Sequence, residues 1–158
     1  MKWITSALLC VATLLVDASK PTATENLLTQ LSYVNSQWLN QPEQNIVTQK
    51  HVGPSPKNYN EWITLHLQLV EKTLRERTCV GFSKTQMQER NMLLDALQQY
   101  SAEGVYPIND YLTYKNPVFI DKKGTHCAVG YLMMRSGHDD LAQAIDAKEK
   151  FAYVHQIK

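Results

Sequence analysis

The side chains best suited to chemistry gather in Asp121-Lys-Lys-Gly-Thr-His126-Cys127. A thiol at the start of a helix is drawn toward thiolate by unpaired backbone amides, and the same amides attract anions. A hydrolase-like site would use Cys127 as nucleophile, with His126 and Asp121 at the turn-to-helix junction. Spacing weighs against it, because neighbouring residues on a helix do not face one another. A base for Cys127 would have to come from elsewhere in the fold, and His51, His66, His138 and His155 show no motif spacing. His138-Asp139-Asp140 suggests a metal ligand set, yet two acids in a first helical turn are already explained by the helix dipole. Three consecutive residues also cannot all point at one ion in regular structure, so no metal site and no cofactor are expected. Tyr106, Tyr111, Tyr114 and Phe119 could line an aromatic groove for a sugar or peptide. The competing reading is packed rings whose hydroxyls find backbone partners.

These residues need elements to position them. Pro117 cannot continue a helix, Val118-Phe119-Ile120 favours a short strand, and Asp121 to Gly124 has turn composition. Thr125 is the expected N-cap of a following helix whose bulky face is Val129, Leu132 and Met133. Gly in mid-helix costs about 1 kcal/mol relative to Ala, so Gly130 points to a close approach by another backbone. The run Pro-Val-Phe-Ile-Asp-x-x-Gly-Thr-x-Cys-Ala-Val-Gly-Tyr-Leu-Met, with Ser136-Gly137 and a Val154-x-x-Ile157 ending, resembles a family of uncharacterised exported bacterial proteins. The resemblance reaches back to Trp62 through Val70-Glu71, Arg90-Asn91 and Gly104-Val-Tyr-Pro-Ile-Asn109. It implies a fold unit over roughly the last hundred residues and an exported location, and it carries no activity or catalytic residue.

Lys2 followed by the apolar stretch Trp3 to Val16, with small or moderate residues before a break after Ala18, reads as a signal peptide over residues 1–18. Its fourteen or so residues fall short of the roughly twenty that span a bilayer, so no stable membrane anchor is expected after cleavage. Export to the periplasm or the cell exterior would leave Cys79 and Cys127 in an oxidising compartment, where a disulfide is the favoured outcome. It would close a loop of roughly 48 residues, worth about 4 kcal/mol in the chain-entropy description.

Residues 19–59 read as an appended amphipathic helix and an extended linker. Leu27, Leu28, Leu31, Val34 and Trp38 mark the helix, which Pro42 ends. That helix could serve as a partner arm or pack back on the rest. Residues 60–158 read as the family-like helical domain. A helix over 60–77 starts from Asn60, with Ile63, Leu67, Val70 and Leu74 as its stripe and Trp62, Leu65 and Leu69 widening it. His66 beside that stripe reads as a satisfied histidine. A second helix opens with the Ser83/Gln86 capping box and stops at Gly104. Residues 105–114 are irregular or short strand, and a further helix follows His138.

Sixteen basic and fifteen acidic side chains in 158 residues leave no field to attract nucleic acid, and 44% hydrophobic with 20% charged residues is globular composition. The expected fold is mainly α: four to five helices in a compact bundle, with one small β-hairpin or irregular strand pair near residues 105–121. The expected role is a non-enzymatic exported binding or structural domain, meeting a protein or small molecule through 105–119 or the first helix. The hydrolase using Cys127 and His126 is the alternative.

Overall fold

The computed structural model describes residues 23–40, 55–114, 116–152 and 156–157. The expected leader (1–18) and the 41–54 part of the expected linker lie outside them. Within the described residues the fold is mainly α, with five helices: α1 (Ala23–Val34), α2 (Tyr59–Glu76), α3 (Lys84–Glu103), α4 (Ala128–Arg135) and α5 (Asp139–Glu149). A 3-10 turn at Ser36–Asn40 follows α1.

The breaks between elements have local causes. Asn35 ends α1 early because its side-chain oxygen takes the Gln37 amide at 3.0 Å and its carbonyl takes the Trp38 amide at 3.1 Å, which tightens the chain. α2 starts from Asn58 rather than Asn60. The Asn58 side chain accepts from the Glu61 amide, and the Glu61 carboxylate returns to Asn58 Nδ2 and the Lys57 amide. α3 carries the Ser83/Gln86 capping box as read, and Gly104 ends it at φ +65°, where a Cβ would be strained.

α2 is the middle layer. Leu65 and Leu69 pack with Leu31 and Trp38, so the first helix folds back on α2. Turned about the α2 axis, Leu67 and Ile63 pack with Leu97, Tyr100 and Tyr106. Each fully buried leucine contributes roughly 1.5–3 kcal/mol of transfer free energy, so these two seams hold α1, α2 and α3 together. Arg90 donates to the Leu74 carbonyl, and Arg75 bridges Glu71 and Asp95 across the α2–α3 seam.

A third cluster, Phe119, Ile120 and Ala142 with Cys127, Met133 and Ile145 around it, joins the irregular segment to α4 and α5. The strand pair expected near 105–121 is reduced to a single antiparallel bridge between Ile120 and His126. A backbone carbonyl at the end of α5 and a side chain from its last turn take the partners that a second strand would have used. The Phe119 amide donates to the Lys150 carbonyl at 2.9 Å and the Ile120 amide to Asp146 at 2.9 Å. Among the described residues no helix is long and apolar enough to cross a membrane.

Candidate functional site

The junction before α4 is a tight turn built on Asp121. Its carboxylate is 6% exposed and accepts the Lys123 amide at 2.8 Å, the Thr125 amide at 2.8 Å and the Ile108 amide at 3.1 Å. Burial alone would raise this carboxyl, but the Thr125, Ile108 and Lys123 amides together hold it below its ordinary value. Gly124, at φ +81°, completes the turn by donating to the Asp121 carbonyl. Asp121 therefore ties the 105–110 segment to the turn through both of its carboxylate oxygens.

Cys127, not Thr125, is the N-cap of α4, and its amide is held by the Phe119 carbonyl at 2.8 Å. The sulfur makes no capping hydrogen bond, and the residue packs against the Phe119 cluster. Burial pushes the thiol above its ordinary value, and the Gly130 and Val129 amides only partly offset it. The helix terminus is present, but desolvation outweighs it and the thiol stays protonated.

The contacts of the His126 ring are with Gly130 and Asp139. The ring lies against Gly130, where a Cβ would stand 3.2 Å from His126 Cδ2 and 3.2 Å from Phe119 Cε1. This is the close approach expected at Gly130, made by two rings rather than by backbone. His126 Nε2 is shut off from solvent and stands 3.2 Å from Asp139 Oδ1, without the alignment of a hydrogen bond. The Tyr100 hydroxyl donates to the His126 carbonyl at 2.8 Å. Asp121, His126 and Cys127 thus sit within one turn of chain, yet each side chain has its own separate surroundings. No local motif announces the His126–Asp139 pairing.

The expected disulfide is not formed: Cys79 and Cys127 are both free thiols. Cys79 lies before the start of α3, with its sulfur 3.7 Å from the Arg77 carbonyl. Cys127 sits beside Tyr100, sixteen residues along α3 from Lys84, which is about 24 Å of helix at 1.5 Å per residue. A disulfide requires Cα atoms within about 7 Å.

The four candidate aromatic residues divide into two pairs. Tyr106 and Phe119 are core residues, and the Tyr106 hydroxyl pairs with Thr64 at 2.6 Å. Tyr111 and Tyr114 are exposed, with Val105 and Ile108 beside them in the chain also outward. Tyr111 carries two cations over its ring, Lys122 Nζ at 4.7 Å and Lys150 Nζ at 5.0 Å from the centroid, and meets Phe151 edge-on at 5.7 Å. Asn109 fixes the loop beneath them, accepting the Tyr111 and Leu112 amides and donating to the Asn116 carbonyl at 2.8 Å.

A cleft that the sequence did not reveal opens between the 3-10 turn and α2. Trp38 Nε1–H donates to His66 Nδ1 at 2.8 Å, and the rings meet edge-on at 5.6 Å. His66 is thus a satisfied histidine, and burial lowers it to about 4. The cleft holds about 160 Å³, bordered by Trp38, by the Val70, Thr73 and Leu74 side of α2 and by Arg77, which caps it. Among the described residues no three His, Cys, Asp or Glu side chains gather as a metal site. Comparison with protein-family models, curated proteins and solved structures finds no match for the chain.

Proposed function

We propose that this chain is an exported, non-enzymatic binding or structural domain whose contact surface is the 105–114 segment. The observation that carries this reading is the pairing of outward apolar side chains with a fixed backbone. Val105, Ile108, Tyr111 and Tyr114 face solvent on a loop anchored by Asp121 and Asn109. Exposed apolar groups on an ordered loop lose little entropy on meeting a partner. The rival hydrolase finds less support, because the Cys127 thiol is protonated and His126 faces Asp139. Export is supported by the Lys2 to Ala18 sequence and by the resemblance to exported bacterial proteins.

The test has two arms. Protein made in an exporting host should have an intact mass beginning at Ser19. Titration with panels of soluble oligosaccharides and short peptides should move the amide resonances of 105–114, and the double variant Tyr111→Ser/Tyr114→Ser should lose that response. Turnover of ester, amide or glycoside substrates by the native chain, abolished in a folded Cys127→Ala variant, would overturn the proposal.

A further inference from the structure

Along α2, His66, Val70, Thr73 and Leu74 fall at helical spacing on one side, and Arg77, the residue that caps the C-terminus of α2, lines the same cleft. Trp38 stands across from them. The cleft they enclose, about 160 Å³, is close to the roughly 150 Å³ that accommodates one benzene ring in an apolar cavity. Trp38, Val70 and Leu74 supply apolar surface for such a ring. The polar part of the lining comprises the Thr73 hydroxyl and the Asn35 and Gln37 side-chain amides, which can donate or accept, and the Arg77 guanidinium, which only donates. Among the described residues none that lines the cleft is acidic. Arg77 already makes another interaction, and the five N–H donors of a guanidinium allow a second acceptor.

We propose that this cleft binds a small aromatic monocarboxylate, its ring against Trp38, Val70 and Leu74 and its carboxylate toward Thr73 and Arg77. The site is separate from the 105–114 surface and stands independently of it. Trp38 occupies His66 Nδ1, so the neutral imidazole carries its proton on Nε2 and adds one more donor. Because His66 is uncharged at neutral pH, the positive charge for the carboxylate comes from Arg77.

Benzoate and benzyl alcohol, which share a ring and differ in charge, are the probes. The full chain is titrated with each while the Trp38 indole N–H resonance is followed, identified by its loss in Trp38→Phe. Benzoate should saturate with Kd of about 1 mM, in the range allowed for so few non-hydrogen atoms, and bind about tenfold more tightly than the alcohol. Arg77→Gln should remove that tenfold difference. Thr73→Trp should abolish binding of both probes by filling the cleft, and Thr73→Phe serves as the smaller plug should the tryptophan variant unfold. Equal affinity for the two probes, or benzoate binding unchanged in a folded plug variant, would overturn the proposal. So would a benzoate response that does not saturate by about 20 mM.

Discussion

Replacing Asp121 with alanine should be among the most damaging single changes outside the apolar clusters. The carboxylate satisfies three backbone amides, those of Lys123, Thr125 and Ile108, from a position 6% exposed. A buried donor left without a partner costs about 1–3 kcal/mol, and partial access of water to the turn brings the sum to about 3–5 kcal/mol. Asp121→Asn keeps an acceptor toward Lys123 and Thr125 but turns an NH₂ group toward the Ile108 donor, which should cost about 2 kcal/mol. The pH dependence separates this mechanism from simple loss of packing. The folded-state carboxyl is held below its ordinary value, so its stabilisation is present above the unfolded value near 3.9 and is lost as pH falls through the folded one. Urea unfolding of the native chain and both variants at pH 7 and pH 3 is the assay. The Asn penalty should shrink at the lower pH, because the native chain is then losing the same charge. A penalty below about 0.5 kcal/mol at pH 7, within the ordinary range of surface substitutions, would refute the reasoning. A penalty that stayed constant between the two pH values would refute its electrostatic part.

Gly130→Ala gains about 1 kcal/mol of helix propensity but drives a Cβ to 3.2 Å from the His126 and Phe119 rings. Overpacking at about 1–3 kcal/mol should leave the variant less stable by about 1 kcal/mol, read as a lower urea midpoint. His66 should titrate near pH 4 by NMR. Its folded value lies below the unfolded 6.5, so the unfolded state binds the proton first and stability should fall between pH 6.5 and 4, with a shallower slope in His66→Gln. Alkylation of the denatured chain without reductant should label both Cys79 and Cys127; under native conditions the half-buried Cys127, with its thiol raised by desolvation, should react more slowly than Cys79.

Helix existence was legible because propensity, capping and periodicity agreed. The Ser83/Gln86 box and Gly104 bounded α3 by side-chain chemistry that acts within four residues. The Asn58/Glu61 pair had the same spacing, but Asn60 offered a second plausible cap, and the choice depends on the Lys57 amide also reaching Glu61. The junction was read less well for a physical reason. Whether Cys127 is reactive depends on the balance between helix amides and desolvation, and desolvation comes from Phe119, Ile120 and Ala142, the last of them on α5. The disulfide expectation counted cysteines and compartment, whereas the length of α3 decides the separation. The Trp38–His66 cleft needed α1 to fold back on α2, a contact that the amphipathic pattern allowed but did not select.

The attachment of the 116–121 segment to α5 bears on how the molecule breathes. The Phe119 and Ile120 amides find their acceptors on Lys150 and Asp146, and Lys150 Nζ returns to the Ile120 carbonyl at 3.2 Å while pairing with Asp146. Protection of these loop amides from deuterium is therefore on loan from the last turn of α5. Fraying that turn would free Phe119 and Ile120 to exchange together with it, as one cooperative unit smaller than the whole fold. Exchange at two residues outside any helix should report the integrity of a helix end that is distant in the chain, with acceptors 26 positions on from Ile120 and 31 on from Phe119.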